Sequence, residues 1–128
     1  MRYVSAQDIA AIHDQMIQAT SGSLGIREPE LLESIALKPQ AGFGGQDLYP
    51  DLASKAAALY EALCNYHVFI DGNKRTAVLA LDRYLSLNGH QLTATNDQIE
   101  RYTLAVASGH PDLAEVAAWI KAHSRSAR

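Results

Sequence analysis

Cysteine is almost absent from this chain: Cys64 stands alone among 128 residues. A single thiol excludes an intrachain disulfide and any cysteine-built zinc cluster. Its place in an Ala- and Leu-rich stretch reads as a small core side chain. Large aromatics are scarce too, with two Phe and one Trp, so the core must be assembled mainly from aliphatic side chains. No run approaches the roughly 18 consecutive apolar residues that a membrane span requires. The opening MRYVSAQDIAAIHDQ places polar and charged residues too early for the apolar region of a signal peptide, and the expected compartment is the cytoplasm. No block of Lys or Arg stands out, and the net charge is −3. That balance argues against a broad nucleic-acid surface, so direct nucleic-acid contact is not expected.

What is present suits one globular domain spanning 1–128. The length can hold a single core, and 48% hydrophobic with 20% charged residues is neither disordered nor fibrous. Ser5 and Asp8 resemble a capping box ahead of a helix carrying Ile9, Ile12, His13, Met16 and Ile17 at helical spacing. Pro29 suits a first helical turn, with Leu31, Leu32, Ile35 and Leu37 following and Pro39 ending the element. Residues 40–50, QAGFGGQDLYP, hold three glycines around one Phe and read as a loop or a short irregular hairpin. As a bare segment it is equally a connector or a flap over a site.

A long helix is expected after Asp51, lined by Leu52, Ala56, Leu59, Tyr60, Leu63 and Cys64. A second is expected from about Asn73 to Asn88, apolar around most of its circumference and therefore the central buried helix. Asn88-Gly89 stops it. Thr95 caps a further helix with Ile99, Tyr102, Leu104 and Val106 inside, and Pro111 to about His123 forms the last. Tyr3-Val4 and Leu92–Thr95 could be short extended pieces, and the tail from 124 to 128 is expected to fray. The expected fold class is all-α, with about six helices.

Between the two central helices lies His67–Val78, HVFIDGNKRTAV. A helix start leaves backbone N–H groups without partners and carries about half a positive charge. Lys74 and Arg75 add two full cations at that end, an unfavourable place for them unless an anion binds. Phosphate is the natural candidate, and Gly72 lets the backbone approach it. Asp71 could cap the helix or hold Mg²⁺. His67 could accept a proton from an attacking hydroxyl, a role that suits the imidazole side chain. Val68 and Phe69 would bury the base of the turn. Each residue alone has a plain structural reading: a half-buried histidine, a cap, a turn asparagine, a solvated cationic face. Their assembly in nine residues is far more specific.

HVFIDGNKR resembles the signature of the Fic/Doc superfamily, H-x-F-x-[DE]-G-N-[GK]-R, and is most similar to its death-on-curing (Doc) branch. Lys74 stands where adenylylating members usually carry Gly, and Val78 where they carry a second Arg. The chain is short, and LLESIALKPQAGFGGQDLYP and the NGHQL turn also look like this family. The resemblance implies a Fic fold with a flap, a toxin of a toxin–antitoxin module, and transfer of the terminal phosphate of ATP to a Ser/Thr hydroxyl on elongation factor Tu. By the same resemblance His67 is the general base, Asp71 binds Mg²⁺ and helps orient the hydroxyl, and Asn73, Lys74, Arg75 and the Gly72 backbone hold phosphate. Phe43, Gly44 and Gly45 belong to a flap that docks the target. No S/T-x-x-x-E-[GN] inhibitory pattern is present, which implies a separate, Phd-like antitoxin. AMP transfer of the Fic type is the alternative within the same enzyme class. A non-catalytic module that uses the anion pocket only for recognition is the alternative outside it, although binding alone requires neither His67 nor Asp71.

Overall fold

The computed structural model describes residues 1–127. Its helices are α1 (Ala6–Thr20), α2 (Pro29–Leu37), α3 (Leu52–Asn65), α4 (Asn73–Leu87), α5 (Asn96–Gly109) and α6 (Leu113–Ala122), with a single 3₁₀ turn at Lys38–Gln40. Four very short strands form two antiparallel pairs, β1 (Gly42–Phe43) with β2 (Gln46–Asp47) and β3 (His90–Leu92) with β4 (Ser124–Ser126). The architecture is all-α.

The helix starts follow from local chemistry. Ser5 and Asp8 exchange bonds in a complete capping box on α1, Asp51 accepts from the Ser54 N–H on α3, and Thr95 with Gln98 forms a second box on α5. These side chains satisfy N–H groups that a helix cannot pair internally.

The core gathers around α3, not α4. Ala56, Ala57, Ala58 and Ala62 are fully buried, and α3 packs against both α4 and α6. Small side chains allow those close approaches, and Leu59, Tyr60 and Leu63 supply the bulk. The Tyr60 hydroxyl is bonded to Thr103 Oγ1 at 2.6 Å, joining α3 to α5 inside the core. Cys64 is buried on the same helix, and desolvation pushes its thiol up to about 12. By contrast, α4 is covered on one side only. Thr76, Ala77, Ala80, Leu81, Tyr84 and Leu85 face inward, while Arg75, Leu79, Asp82, Arg83 and Ser86 follow one another at three- and four-residue steps along an exposed face. Leu79 lies on that face and is 41% exposed. The expectation of a centrally buried Asn73–Asn88 helix therefore passes to its neighbour.

The chain end also departs from expectation. Ser124–Ser126 do not fray; they pair with His90–Leu92 in register His90↔Ser126, Gln91↔Arg125 and Leu92↔Ser124. Thr93 N–H donates to the His123 carbonyl at 2.7 Å and Ala127 N–H to that of Gly89 at 2.8 Å. The turn after α4 leaves an extended edge, and the tail satisfies its backbone groups. Arg128, part of the same expectation, lies outside the described residues. The extended piece expected at Leu92–Thr95 falls at His90–Leu92, because Thr95 is the α5 cap.

Stopping the chain after His123 removes the β3–β4 ladder bonds and the Ala127–Gly89 bond. At about 1 kcal/mol net for each bond, such a truncation is expected to lower the melting temperature by about 5 °C or more. An unchanged calorimetric midpoint would show the strand to be dispensable.

Candidate active site

His67, Asp71, Gly72, Asn73, Lys74 and Arg75, singled out from the sequence, meet at the opening of α4, whereas Phe43, Gly44 and Gly45 do not line the cleft there. A cleft of 470 Å³ is lined by Ile17, Ser21, Gly22, His67, Ile70 and the run Asp71–Arg75. α3 delivers His67: the helix ends at Asn65, Tyr66 donates its N–H back to Ala62, and His67 then turns the chain with a φ of 48°. That left-handed conformation is uncommon for a residue with a side chain. It reverses the backbone so that Val68 and Phe69 enter the core, both buried, while the imidazole stays exposed.

The turn itself is locked from three directions. Asn73 accepts the Phe69 N–H on Oδ1 and donates from Nδ2 to the Phe69 carbonyl, both at 2.9 Å. The Asn73 side chain thus closes the loop, its amide oxygen and nitrogen both engaged by one backbone residue, and leaves its backbone N–H as the group that could meet a phosphate. From α1, the fully buried His13 donates from Nε2 to the Asp71 carbonyl at 2.7 Å, an assignment fixed because a carbonyl can only accept. Its ring stacks on Phe69 with centroids 3.9 Å apart. From the third side, residues 25–28 run beside the turn: Arg27 and Glu28 donate to the Val68 carbonyl at 2.7 and 3.0 Å, and Ile70 donates to that of Gly25 at 3.2 Å. Of these supports, His13 and the 25–28 segment were not legible as such. A histidine within an apolar helical stripe and a connector loop carry no signal in one sequence that they brace a distant turn.

Gly72 is the N-cap of α4, at φ 76°, and supplies no side-chain cap. The first-turn N–H groups of Asn73, Lys74 and Arg75 therefore have no acceptor within the helix. There is no acidic residue in that turn, and neither Lys74 nor Arg75 joins an ion pair among the described residues. Backbone donors, helix dipole and two cations without ion pairs thus lie at one helix start, an arrangement whose charge suits an anion.

Asp71 does not cap α4. Its Oδ1 accepts the Gly72 N–H at 2.9 Å and its Oδ2 the Ser23 N–H at 3.2 Å, so the carboxylate is held at the cleft rim with lone pairs to spare. No group of three metal-ligating side chains occurs among the described residues. One hard carboxylate still fits a magnesium ion, which takes its other ligands from phosphate and water.

The flap residues lie on the β1–β2 hairpin. Phe43 pairs with Gln46, and Gly44 and Gly45 form the two-residue turn with φ of 60° and 80°, the conformation such a turn requires. Phe43 is 94% exposed. Beyond Arg75, a second groove of 540 Å³ is lined by Lys74, Arg75, Val78, Leu79 and Ile99 among others; Val78 puts an apolar wall there.

Comparison with known proteins follows the same lines. A model described as the Fic/DOC family matches residues 3–85, a span that includes the whole cleft. The chain is 39% identical over 112 residues to "Toxin Doc" of Mycolicibacterium smegmatis, covering 86% of each chain. It is 30% identical over 117 residues to "Protein kinase doc" of Escherichia phage P1, covering 91% of each.

A Cβ at Gly72 would sit 2.5 Å from Met16 Cε and 3.3 Å from Ile17 Cδ1, in a backbone conformation that costs a side chain about 1–2 kcal/mol. Gly72→Ala is thus expected to lower stability by about 2 kcal/mol or more and to weaken nucleotide binding. Urea denaturation and titration with ATP measure the two effects.

Proposed function

The chain belongs to the Fic/DOC family, and from that premise we propose that it is a Doc-type toxin and protein serine/threonine kinase. In this reading it transfers the γ-phosphoryl group of ATP to a hydroxyl of a translation protein, elongation factor Tu being the expected target, and so stops translation. One observation carries the proposal: an uncapped helix start bearing two unpaired cations opens beside an exposed imidazole with no hydrogen bond of its own among the described residues. A structural turn requires none of this, whereas each part has a use in phosphoryl transfer. The printed names of the two relatives, one a toxin and one a protein kinase, support the same reading.

The chemistry follows from where the groups sit. Lys74, Arg75 and the first-turn N–H groups bind the phosphate chain and offset the charge on the transferring group. His67 takes the proton of the target hydroxyl as its oxygen bonds to the γ-phosphorus. The bond from that phosphorus to the β–γ bridging oxygen breaks, and ADP departs with the electron pair. Asp71, fixed by Gly72 and Ser23, would hold the magnesium ion that accompanies the triphosphate, and the ion supplies charge neutralisation there. Asn73 acts on the reaction through the backbone it locks. The work is mainly positioning, with the reacting groups held in one short turn.

Phosphate transfer is favoured over AMP transfer by Lys74 and Val78. Lys74 removes the free space that glycine leaves beside the anion site. Val78 lines the groove beyond Arg75 with an apolar side chain, where a second Arg would clamp distal phosphates. The nucleotide then has reason to bind with its γ-phosphate toward the hydroxyl. Regulation by a separate, Phd-like antitoxin completes the proposal. The 540 Å³ groove, with Met16, Val78, Leu79, Ile99 and Leu104 in its lining, has the apolar character that an amphipathic antitoxin segment needs.

With purified elongation factor Tu, γ-labelled ATP is expected to transfer its label and α-labelled ATP is not; the reverse result assigns AMP transfer, and no transfer with either label favours a binding module. His67→Ala should cut the rate by about 10²–10⁴-fold and end growth arrest at equal expression while leaving the melting temperature unchanged. Lys74→Gly should slow phosphate transfer or admit some AMP transfer. An unchanged rate and product would remove Lys74 from the account.

A further inference from the structure

The chain buries a lysine. Lys55, on the first turn of α3, is 2% exposed, in a helix whose inward stripe is otherwise built of Ala, Leu, Tyr and Cys. A buried ammonium is costly unless it is fully partnered, and an apolar side chain of similar volume commonly serves stability as well or better. The three groups that face Lys55 come from different parts of the fold. Its Nζ donates to the Pro39 carbonyl at 2.8 Å and to Asp47 Oδ2 at 3.3 Å, and it lies 5.9 Å from the Tyr3 ring centroid. Asp47 is in β2, the returning strand of the flap hairpin, and its side chain is 58% exposed.

Every residue from Gly42 to Leu48 is exposed. Among the described residues, the Asp47–Lys55 bond is the one side-chain hydrogen bond that ties this hairpin to the helical body. At the other end of the connection, Lys38 in the 3₁₀ turn lies over the Tyr66 ring at 5.5 Å, beside His67. Lys55 and Tyr66 are about three helical turns apart on the same rod. The flap and the imidazole are thereby referenced to a single rigid element.

We propose that Lys55 is a positioning residue for the transfer reaction: through Asp47 it fixes the place of the flap relative to His67, and so the place of the target chain. The inference rests on the proposed docking role of the flap. Lys55 touches neither nucleotide nor target; it acts through Asp47 and the hairpin.

The test compares Lys55→Met, Asp47→Ala and the double variant, using the full chain. Amide hydrogen exchange over Gly42–Leu48 should speed up by about tenfold in each single variant. The double variant should be no faster, because both changes break one tie. KM for purified elongation factor Tu should rise by about tenfold while KM for ATP stays at its wild-type value. Hairpin exchange at the wild-type rate in both single variants, or effects that add in the double variant, would overturn the proposal. Should Lys55→Met fail to fold, Asp47→Ala still decides, because the Asp47 side chain lies at the surface. Phe43→Ala separates the two levels of the argument. If it raises KM for the target while Asp47→Ala does not, the flap docks the target and Lys55 has no part in it. If Phe43→Ala leaves that KM unchanged, the docking role fails and the positioning role falls with it.

Discussion

The hydrogen bond from His13 Nε2 to the Asp71 carbonyl, 2.7 Å long and fully enclosed on the His13 side, is the constraint on which the rest of the site depends. An anion cradle made of helix N–H groups works only if the backbone ahead of the helix turns away and leaves those groups open. That geometry runs against the usual tendency of a helix start to fold a side chain over itself, as Ser5, Asp51 and Thr95 do elsewhere in this chain. His13 prevents such closure by holding the residue before Gly72 from the outside. Asn73 holds Phe69 from the inside. The ring stack of His13 on Phe69 then makes the polar brace and the apolar base of the turn one packed unit.

The electrostatic arrangement follows from that frame. Lys74 and Arg75 stand at the positive end of a helix without acidic neighbours in the first turn, a configuration that lowers the stability of the empty protein. The α4 start departs from the usual rules of helix design in both its missing side-chain cap and its two first-turn cations, and that place coincides with the cleft. Conflict of this kind is characteristic of functional sites, where stability is given up for binding.

Much of this was legible in the sequence, for specific reasons. Capping residues and apolar spacing placed the helices closely, since Ser5, Pro29, Asp51 and Thr95 act within one turn of where they stand. The motif itself was legible because its residues are contiguous. What escaped were properties that depend on the tertiary arrangement. The assignment of the central helix failed because the apolar residues of α4 were weighed over the Arg75, Asp82 and Arg83 that mark a solvent face, while Ala-rich α3 has no exposed residue. The tail was unreadable because pairing with His90–Leu92 spans more than thirty residues of chain. The loop-closing bonds of the Asn73 side chain escaped because its partner is a backbone group, which carries no side-chain signature. His13 and Lys55 were silent for a related reason: a polar residue in an apolar stripe names no partner until the fold supplies one.

Cys64 sits one turn ahead of His67, on the element that links core and cleft. Its thiol is buried, and burial both shields it from an alkylating reagent and disfavours the thiolate. Reaction can occur only in moments when α3 is released from its neighbours. With no other thiol in the chain, the rate of labelling becomes an intrinsic clock for local opening. A bound nucleotide or antitoxin that slows this clock would reveal how firmly the rod supporting the imidazole is clamped, without any probe being added to the protein.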